Sequence, residues 1–281
     1  MTLGAVWQCG QFRFEQQQPL VMGILNITPD SFSDGGQFSD APRALDHAHA
    51  MIEQGADIID IGGESTRPGS KEVSISEETA RVLPLVKALV GEGVCVSVDT
   101  RHAEVAEACI AEGAAILNDI TGFTDPAMQT VAQNSSAGCV IMHMQGSPQT
   151  MQDNPVYEDV VAEISTYLLA QARLLTDAGV APERICLDPG PGFGKNFEQN
   201  RELLLNTAHF AQLGSPPFML MAAWSRKRFI GDITGIATPE DRVSGSVVAA
   251  LFAANEGAGV LRVHDVGATV QALKVWRALH E

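Results

Sequence analysis

The sequence predicts a single closed (β/α)8 barrel, the TIM-barrel architecture, with an N-terminal hairpin closing the barrel floor. Three observations carry that expectation. Eight short apolar runs alternate with helical patterns along 281 residues, the count that a closed parallel barrel requires. Three helix-to-strand joints repeat one motif, Gln54-Gly55-Ala56-Asp57-Ile58, Glu112-Gly113-Ala114-Ala115-Ile116 and Glu256-Gly257-Ala258-Gly259-Val260, in which Gly takes a left-handed helix C′ position and small residues allow tight packing. Nearly every apolar run also ends in a polar group, as strands that deliver a site at one end of a barrel must.

In chain order, Val6 to Phe14 around a Cys9-Gly10 turn reads as the hairpin. The apolar runs are Leu20 to Leu25, Asp57 to Ile61, Val94 to Val98, Ala115 to Leu117, Cys139 to Met142, Arg184 to Leu187, Phe218 to Ala222 and Gly259 to Val263. Between the first two, Asp40 and Pro42 open a helix bearing Leu45, Ala48 and Ile52, closed at Gly55. Ser74 with Glu77 forms a capping box ahead of Leu83, Val86 and Leu89, closed at Gly91. The longest helical pattern runs from about Tyr157 to Ala178 and stops at Gly179. Thr238, Pro239 and Asp241 start another, bearing Val243, Val247, Leu251 and Ala254. An open doubly wound sheet would fit the same alternation, but no G-x-G-x-x-G follows the first strand. Gly190-Pro191-Gly192-Phe193-Gly194-Lys195 lacks both the spacing of a phosphate loop and its Ser/Thr after Lys.

A hydrophobic content of 45% suffices for one large core, and no linker or low-complexity tract divides the chain. We therefore expect one domain with a core from about residue 18 to 280. The N-terminus has no cationic leader region, and no apolar stretch approaches the ~20 residues of a membrane span, which implies a cytoplasmic protein with no membrane partner. A net charge of −16 and a pI near 4.7 argue against nucleic acid, whose phosphates need a basic face. The five cysteines form no C-x-x-C pair and read as small buried hydrophobes. Yet Arg67, Arg101, Lys195, Arg226, Lys227, Arg228, Arg262 and His264 all follow apolar runs. In a barrel they would gather into a cationic mouth suited to a small anion.

The loop after the first run, Asn26-Ile27-Thr28-Pro29-Asp30-Ser31-Phe32-Ser33-Asp34-Gly35-Gly36, joins an amide, carboxylates and an aromatic ring where a plain turn needs only Gly, Pro and Asp. Other runs end in Glu64, Ser65, Thr66 and Arg67; Asp99 and Arg101; Asn118 and Asp119; His143; Asp188; Ser225, Arg226 and Lys227; and Arg262, His264 and Asp265. Leaving such groups buried and unpaired costs several kcal/mol, so they must converge on one another or on a ligand. His143 reads as a packed, hydrogen-bonded residue rather than a ligand.

Taken together, Asn26 to Gly36, Gly62-Gly63-Glu64-Ser65-Thr66-Arg67-Pro68-Gly69, Ser97-Val98-Asp99-Thr100, Asn118-Asp119-Ile120, Met142-His143-Met144-Gln145-Gly146, Asp188-Pro189-Gly190, Gly192-Phe193-Gly194-Lys195, Ser225-Arg226-Lys227 and Arg262-Val263-His264-Asp265-Val266 resemble the dihydropteroate synthase family. The blocks run from the first strand to the last. The resemblance implies a transferase of folate biosynthesis that condenses 6-hydroxymethyl-7,8-dihydropterin diphosphate with p-aminobenzoate through an SN1-like pterin methyl cation.

By that resemblance Asp99, Asn118, Asp188 and Lys227 read the pterin, with carboxylates and an amide matched to its amino-pyrimidinone edge. Asn26, Arg67, Arg262 and His264 hold the diphosphate, with Mg²⁺ as cofactor bound through Asn26 and diphosphate oxygens. Thr66, Pro68, Phe193 and Ser225 line the p-aminobenzoate slot, where sulfonamides would compete. Asp34 acts on loop closure and Asp99 lies near the developing positive charge. A homodimer is implied as well. The sequence departs from the family at Ala222-Ala223-Trp224, where Gly is usual ahead of Ser-Arg-Lys, and at Pro191, where a bulkier apolar residue is expected. A corrinoid methyltransferase of the same barrel class would keep Asn118 and Asp188 but would not need the Thr66 to Pro68 and Ser225 to Lys227 loops. A non-catalytic pterin-binding protein would not need the cationic pocket.

Overall fold

The computed structural model describes residues 5–27, 40–65, 72–147 and 150–279. Val6–Cys9 (β1) and Phe12–Glu15 (β2) form the antiparallel hairpin. Eight parallel strands then close a barrel: Leu20–Asn26 (β3), Ile58–Gly62 (β4), Val96–Asp99 (β5), Ile116–Asp119 (β6), Gly138–Met142 (β7), Ile185–Asp188 (β8), Met219–Ala222 (β9) and Val260–Val263 (β10), with β10 paired to β3. Helices alternate with them: Asp40–Glu53 (α1), Ile75–Gly91 (α2), Ala103–Ala111 (α3), Pro126–Asn134 (α4), Val160–Asp177 (α5), Phe197–Leu205 (α6), Thr207–Phe210 (α7), Arg228–Thr234 (α8), Val243–Asn255 (α9) and Val266–Ala278 (α10).

The period of two along each strand divides the core into two bodies. Val21, Leu25, Ile59, Ile61, Val98, Leu117, Ile141, Leu187 and Leu261 point outward into a core shared with the helices. Their neighbours Met22, Ile58, Cys95, Ile116, Val140, Cys186, Met221 and Val260 point inward and pack on Ala5, Trp7 and Cys9 of the hairpin. The predicted floor is therefore a solid apolar plug. Trp7 is fully buried, and its indole N–H donates to the Arg184 carbonyl at 3.0 Å. Gly138 at the base of β7 makes room for it, because a Cβ there would stand 2.5 Å from Cys9 Sγ.

The repeated joints behave as the sequence predicts, with φ of +102°, +97° and +99° at Gly55, Gly113 and Gly257. Two predicted helix ends differ in detail. The Ser74 hydroxyl accepts from the Glu77 N–H at 3.3 Å, but the Glu77 carboxylate binds Arg81 instead of returning to the cap, so the box is half formed. That helix also runs through Gly91, and the left-handed residue is Gly93. All five cysteines are free and buried. No helix among the described residues is long and apolar enough to cross a membrane.

Truncating Trp7 to Ala leaves a large cavity at the barrel floor and should destabilise the protein by about 3–5 kcal/mol. A fall in the urea midpoint at unchanged m-value is the expected reading, and a loss below about 1 kcal/mol would mean that the hairpin is not part of the core.

Candidate active site

Strand register sets the first row of functional groups. Asn26 pairs with Gly62, Gly62 with Asp99 and Asp99 with Asn118, so three predicted site residues lie side by side at one level on interior-facing positions. Gly62 keeps this row open: a Cβ there would stand 3.3 Å from Asn26 Oδ1 and 3.6 Å from Asp99 Cβ. On the next layer down, Ile24 pairs with Asp60 and Asp60 with Ser97. One layer deeper, Arg262 pairs with Met22. An arginine stem spans that height, so its guanidinium rises past Asp60 to the upper row.

There it is shared between two carboxylates. Arg262 Nε donates to Asp60 Oδ2 at 2.6 Å, and its terminal NH2 donates to Asp99 Oδ2 at 2.5 Å. The Asn118 amide donates to the same Asp60 oxygen at 3.2 Å. Burial disfavours the charge on Arg262, but the two carboxylates outweigh it and keep the guanidinium protonated. One cation cannot neutralise two anions. Burial first, and then repulsion from Asp60 among other carboxylates, lift the Asp99 carboxyl to about 7 despite its contact with Arg262. Asp60 Oδ1 and Ser97 Oγ, both buried on interior positions, have no hydrogen-bond partner among the described residues. Asp60 is the functional residue that sequence reasoning missed. Its signal was a carboxylate inside the otherwise apolar Ile58-Ile59-Asp60-Ile61 run.

The opposite wall is built by the loops after β8 and β9. Asp188, 2% exposed, accepts from the Gly190 N–H at 2.8 Å, and burial raises its carboxyl while the nearby Lys227 charge opposes that shift. Lys227 Nζ lies 4.5 Å from the centre of the Phe193 ring and donates to the Pro191 carbonyl. Burial lowers its ammonium to about 8, with Asp188 acting in the other direction. Arg226 holds a left-handed φ of 58°, a conformation that costs a non-glycine residue energy and needs support. Support comes from a two-point ion pair with Asp265 at 2.9 and 2.6 Å and from the Ser246 hydroxyl, which accepts the Arg226 N–H at 2.9 Å. This clamp fixes Ser225 and Lys227 on either side. The Ser225 hydroxyl meets the His264 N–H at 3.1 Å and His264 Nδ1 at 3.0 Å.

The structure thus joins Asn118, Arg262 and Asp99 through Asp60, sets Asn26 on the same row by register, joins Asp188, Lys227 and Phe193 on the facing wall, and ties Ser225 to His264. Asp34, Thr66, Arg67 and Pro68 lie outside the described residues. The expected cationic mouth needs correction. Arg101 is bound by Glu64 at 2.8 and 3.1 Å, Arg226 by Asp265 and Arg262 by Asp60 and Asp99. Lys195 is buried, and Arg228 faces solvent beside Asp232. The sequence placed these cations at strand ends correctly, but carboxylates at neighbouring strand ends take up most of their charge. His143 is packed as expected, edge-on to Tyr167 at 4.9 Å, and burial together with the Lys195 charge depresses its imidazole to about 3. Trp224 turns into the helix-side core against Phe229, while Ala223 is buried beside it.

Comparison with known proteins agrees with this arrangement. A family model described as pterin binding enzyme matches residues 22–264. The dihydropteroate synthase of Neisseria meningitidis serogroup B is 48% identical over 280 residues, covering 98% of this chain and 97% of that protein. The crystal structure of Burkholderia cenocepacia dihydropteroate synthase complexed with 7,8-dihydropteroate superposes with a TM-score of 0.88 at 45% identity, covering 100% of this chain and 98% of the other. The Yersinia pestis dihydropteroate synthase in complex with a sulfonamide drug gives 0.91 at 40% identity, covering 98% and 99%. A full-length match at this identity, on a barrel whose strand ends converge on one polar mouth, places the chain in the pterin-binding enzyme family, among the dihydropteroate synthases.

Proposed function

We propose that the chain condenses 6-hydroxymethyl-7,8-dihydropterin diphosphate with p-aminobenzoate to give 7,8-dihydropteroate and diphosphate in folate biosynthesis, acting in the cytoplasm. The observation that carries this reading is the polar row of half-buried Asn26 and Asp99 and buried Asn118 facing Asp188 and Lys227 across one barrel mouth. Carboxylates and an amide at this depth accept from and donate to the amino-pyrimidinone edge of a pterin. The unpartnered Asp60 Oδ1 and Ser97 Oγ beneath them favour a polar occupant, because orphaned buried polar atoms cost about 1–3 kcal/mol each.

Chemistry follows from charge placement. The bond between the pterin methylene carbon and the diphosphate oxygen breaks, and its electron pair leaves with diphosphate. The methylene cation left behind is delocalised into the ring beside the Asp99 carboxylate. The p-aminobenzoate nitrogen then bonds to that carbon and loses a proton. No protein nucleophile is required; the residues bind, orient and exclude water that would trap the cation. His264, Arg67 and the guanidinium of Arg262 serve the leaving group, while Phe193 and Ser225, with Thr66 and Pro68, receive the arylamine, and Asp34 contributes to closure. The Yersinia pestis sulfonamide complex supports placing sulfonamides in that same slot.

Among the described residues no group of three or more His, Cys, Asp or Glu could hold a metal. Asn26 offers one amide oxygen, and such a sparse donor set fits Mg²⁺ arriving on the substrate, since this ion takes oxygen ligands and keeps several waters. Asn26 and the diphosphate oxygens would hold it, and it would supply neutralisation of the departing negative charge. We also propose a homodimer. Val248 on α9 and Val275 on α10 are 67% and 62% exposed, next to half-exposed Phe252, on two helices packed against each other. A second copy of this face is the simplest cover for them. Sedimentation should then give a dimer that Val248→Glu converts to monomer, and a monomeric native protein would refute the pairing.

The direct test is turnover with both substrates, following diphosphate and dihydropteroate together, with and without Mg²⁺. Equimolar, Mg²⁺-dependent release of both is expected, inhibited by a sulfonamide and relieved by rising p-aminobenzoate; pterin binding by folded protein without turnover would sink the reading. The pH dependence has a defined sign. Pterin recognition needs Asp99 ionised, so it should weaken as pH falls through about 7. It also needs Lys227 protonated, so it should weaken as pH rises through about 8. A bell-shaped profile of kcat/KM for the pterin diphosphate is expected, with the alkaline limb absent in Lys227→Gln. An alkaline limb unmoved by that substitution would remove Lys227 from the role.

A further inference from the structure

Lys195 is a buried amine that the chemistry above leaves unused. It is 2% exposed, and no carboxylate among the described residues lies within ion-pair distance of it. Its ammonium instead meets the Gly190 carbonyl at 2.9 Å, the Phe193 carbonyl at 2.8 Å, the His143 carbonyl at 3.3 Å and His143 Nδ1 at 3.1 Å. Burial pushes its pKa well below the ordinary lysine range, so the placement of this amine among oxygens from two separate loops needs a reason. Those loops touch backbone to backbone. A Cβ on Gly190 would stand 1.9 Å from the His143 carbonyl oxygen, and one on Gly194 2.5 Å from that of Gln145. The Asp188 and Asn200 side chains accept the Gly190 and Gly192 N–H groups at 2.8 and 2.7 Å and Gln152 donates to the Gly192 carbonyl at 2.6 Å, while Lys195 ties the turn to the His143 carbonyl.

The carbonyls that Lys195 gathers belong to the two ends of the turn from Gly190 to Phe193, closed by the Phe193 N–H donating to Gly190 at 3.1 Å. Within that turn the Pro191 carbonyl receives Lys227, and at its end the Phe193 ring lies under the same ammonium. A shift of the Phe193 end of the turn would therefore move the arylamine wall, while the Gly190 end stays tied to Asp188 and leaves the pterin wall of Asp99, Asn118 and Asp188 in place. We propose that Lys195 is a positioning residue for the second substrate: by drawing the Gly190, Phe193 and His143 carbonyls together it sets the height of the Phe193 ring over the arylamine slot. A neutral His143, whose Nδ1 can accept from the ammonium, is consistent with this. The inference rests on the proposed synthase reaction.

The test is steady-state kinetics of Lys195→Met and Phe193→Ala, alone and combined, with pterin diphosphate affinity measured separately. We expect KM for p-aminobenzoate to rise about tenfold or more in Lys195→Met with kcat within about threefold, and pterin affinity within about twofold. The double variant should be no worse than Phe193→Ala alone, as two residues acting through one contact require. An unchanged KM for p-aminobenzoate, an equal loss of pterin affinity, or multiplying effects in the double variant would each overturn the proposal. Should Lys195→Met fail to fold, Lys195→Ala purified with n-propylammonium, which replaces the side chain beyond Cβ, takes its place. KM should then fall as propylammonium rises and not respond to propanol; folded protein without that rescue overturns the role. Wild-type protein that makes no dihydropteroate would instead bring down the synthase reading, and this role with it.

Discussion

A single guanidinium shared by two buried carboxylates is the constraint on which the rest of the site depends. Arg262 starts two layers below the upper row of polar side chains, and only an arginine stem reaches from there past Asp60 to Asp99. Burial lifts the Asp99 carboxyl to about 7, the shared cation opposes that shift only in part, and Asp60 adds to it. Asp60 is fully buried and accepts from both Arg262 and the Asn118 amide. Asp99, at the edge of the mouth, is the more exposed carboxylate of the two. Removing one partner of such a cluster strands a buried charge, which costs far more than the pair contributes.

The same principle extends to the loops. Strand-end cations that could have formed an open basic field are spent on structure: Arg101 on Glu64, Arg226 on Asp265 and Lys195 on backbone carbonyls. Glu64 also accepts the Val73 N–H at 3.1 Å, so one carboxylate ties both flanks of the segment that carries Thr66, Arg67 and Pro68. An acidic protein can thereby hold an anionic substrate without a broad basic surface, because a few donors at fixed positions in a low-dielectric mouth act more strongly than many solvated charges.

The plug beneath matters for the same reason. Trp7, Cys9, Met22 and Val140 fill the lower barrel with apolar atoms, so Asp60 sits above an apolar floor where charge is poorly solvated. The pKa shifts of Asp99 and Lys227 are consequences of that burial as much as of neighbouring charges. Floor packing and site chemistry are therefore coupled through solvent exclusion.

By itself the sequence determined the barrel, its eight strands, the hairpin and the strand-end identity of Asn26, Asp99, Asn118, Asp188, Lys227, Arg262 and His264. Short apolar runs, glycine at helix C′ positions and polar groups after apolar runs are local signals, and local signals survive in one dimension. Asp60 stayed hidden because its neighbours make it look like part of an ordinary buried strand; only the register that sets it beside Ser97 and under Asn118 reveals its partner, 202 residues away. Tertiary structure also decided which cations remain available. Arg101 and Arg226 look equivalent to Lys227 in sequence, but the carboxylate that neutralises each one lies on a different loop, and electrostatic pairing depends on distance in space rather than along the chain.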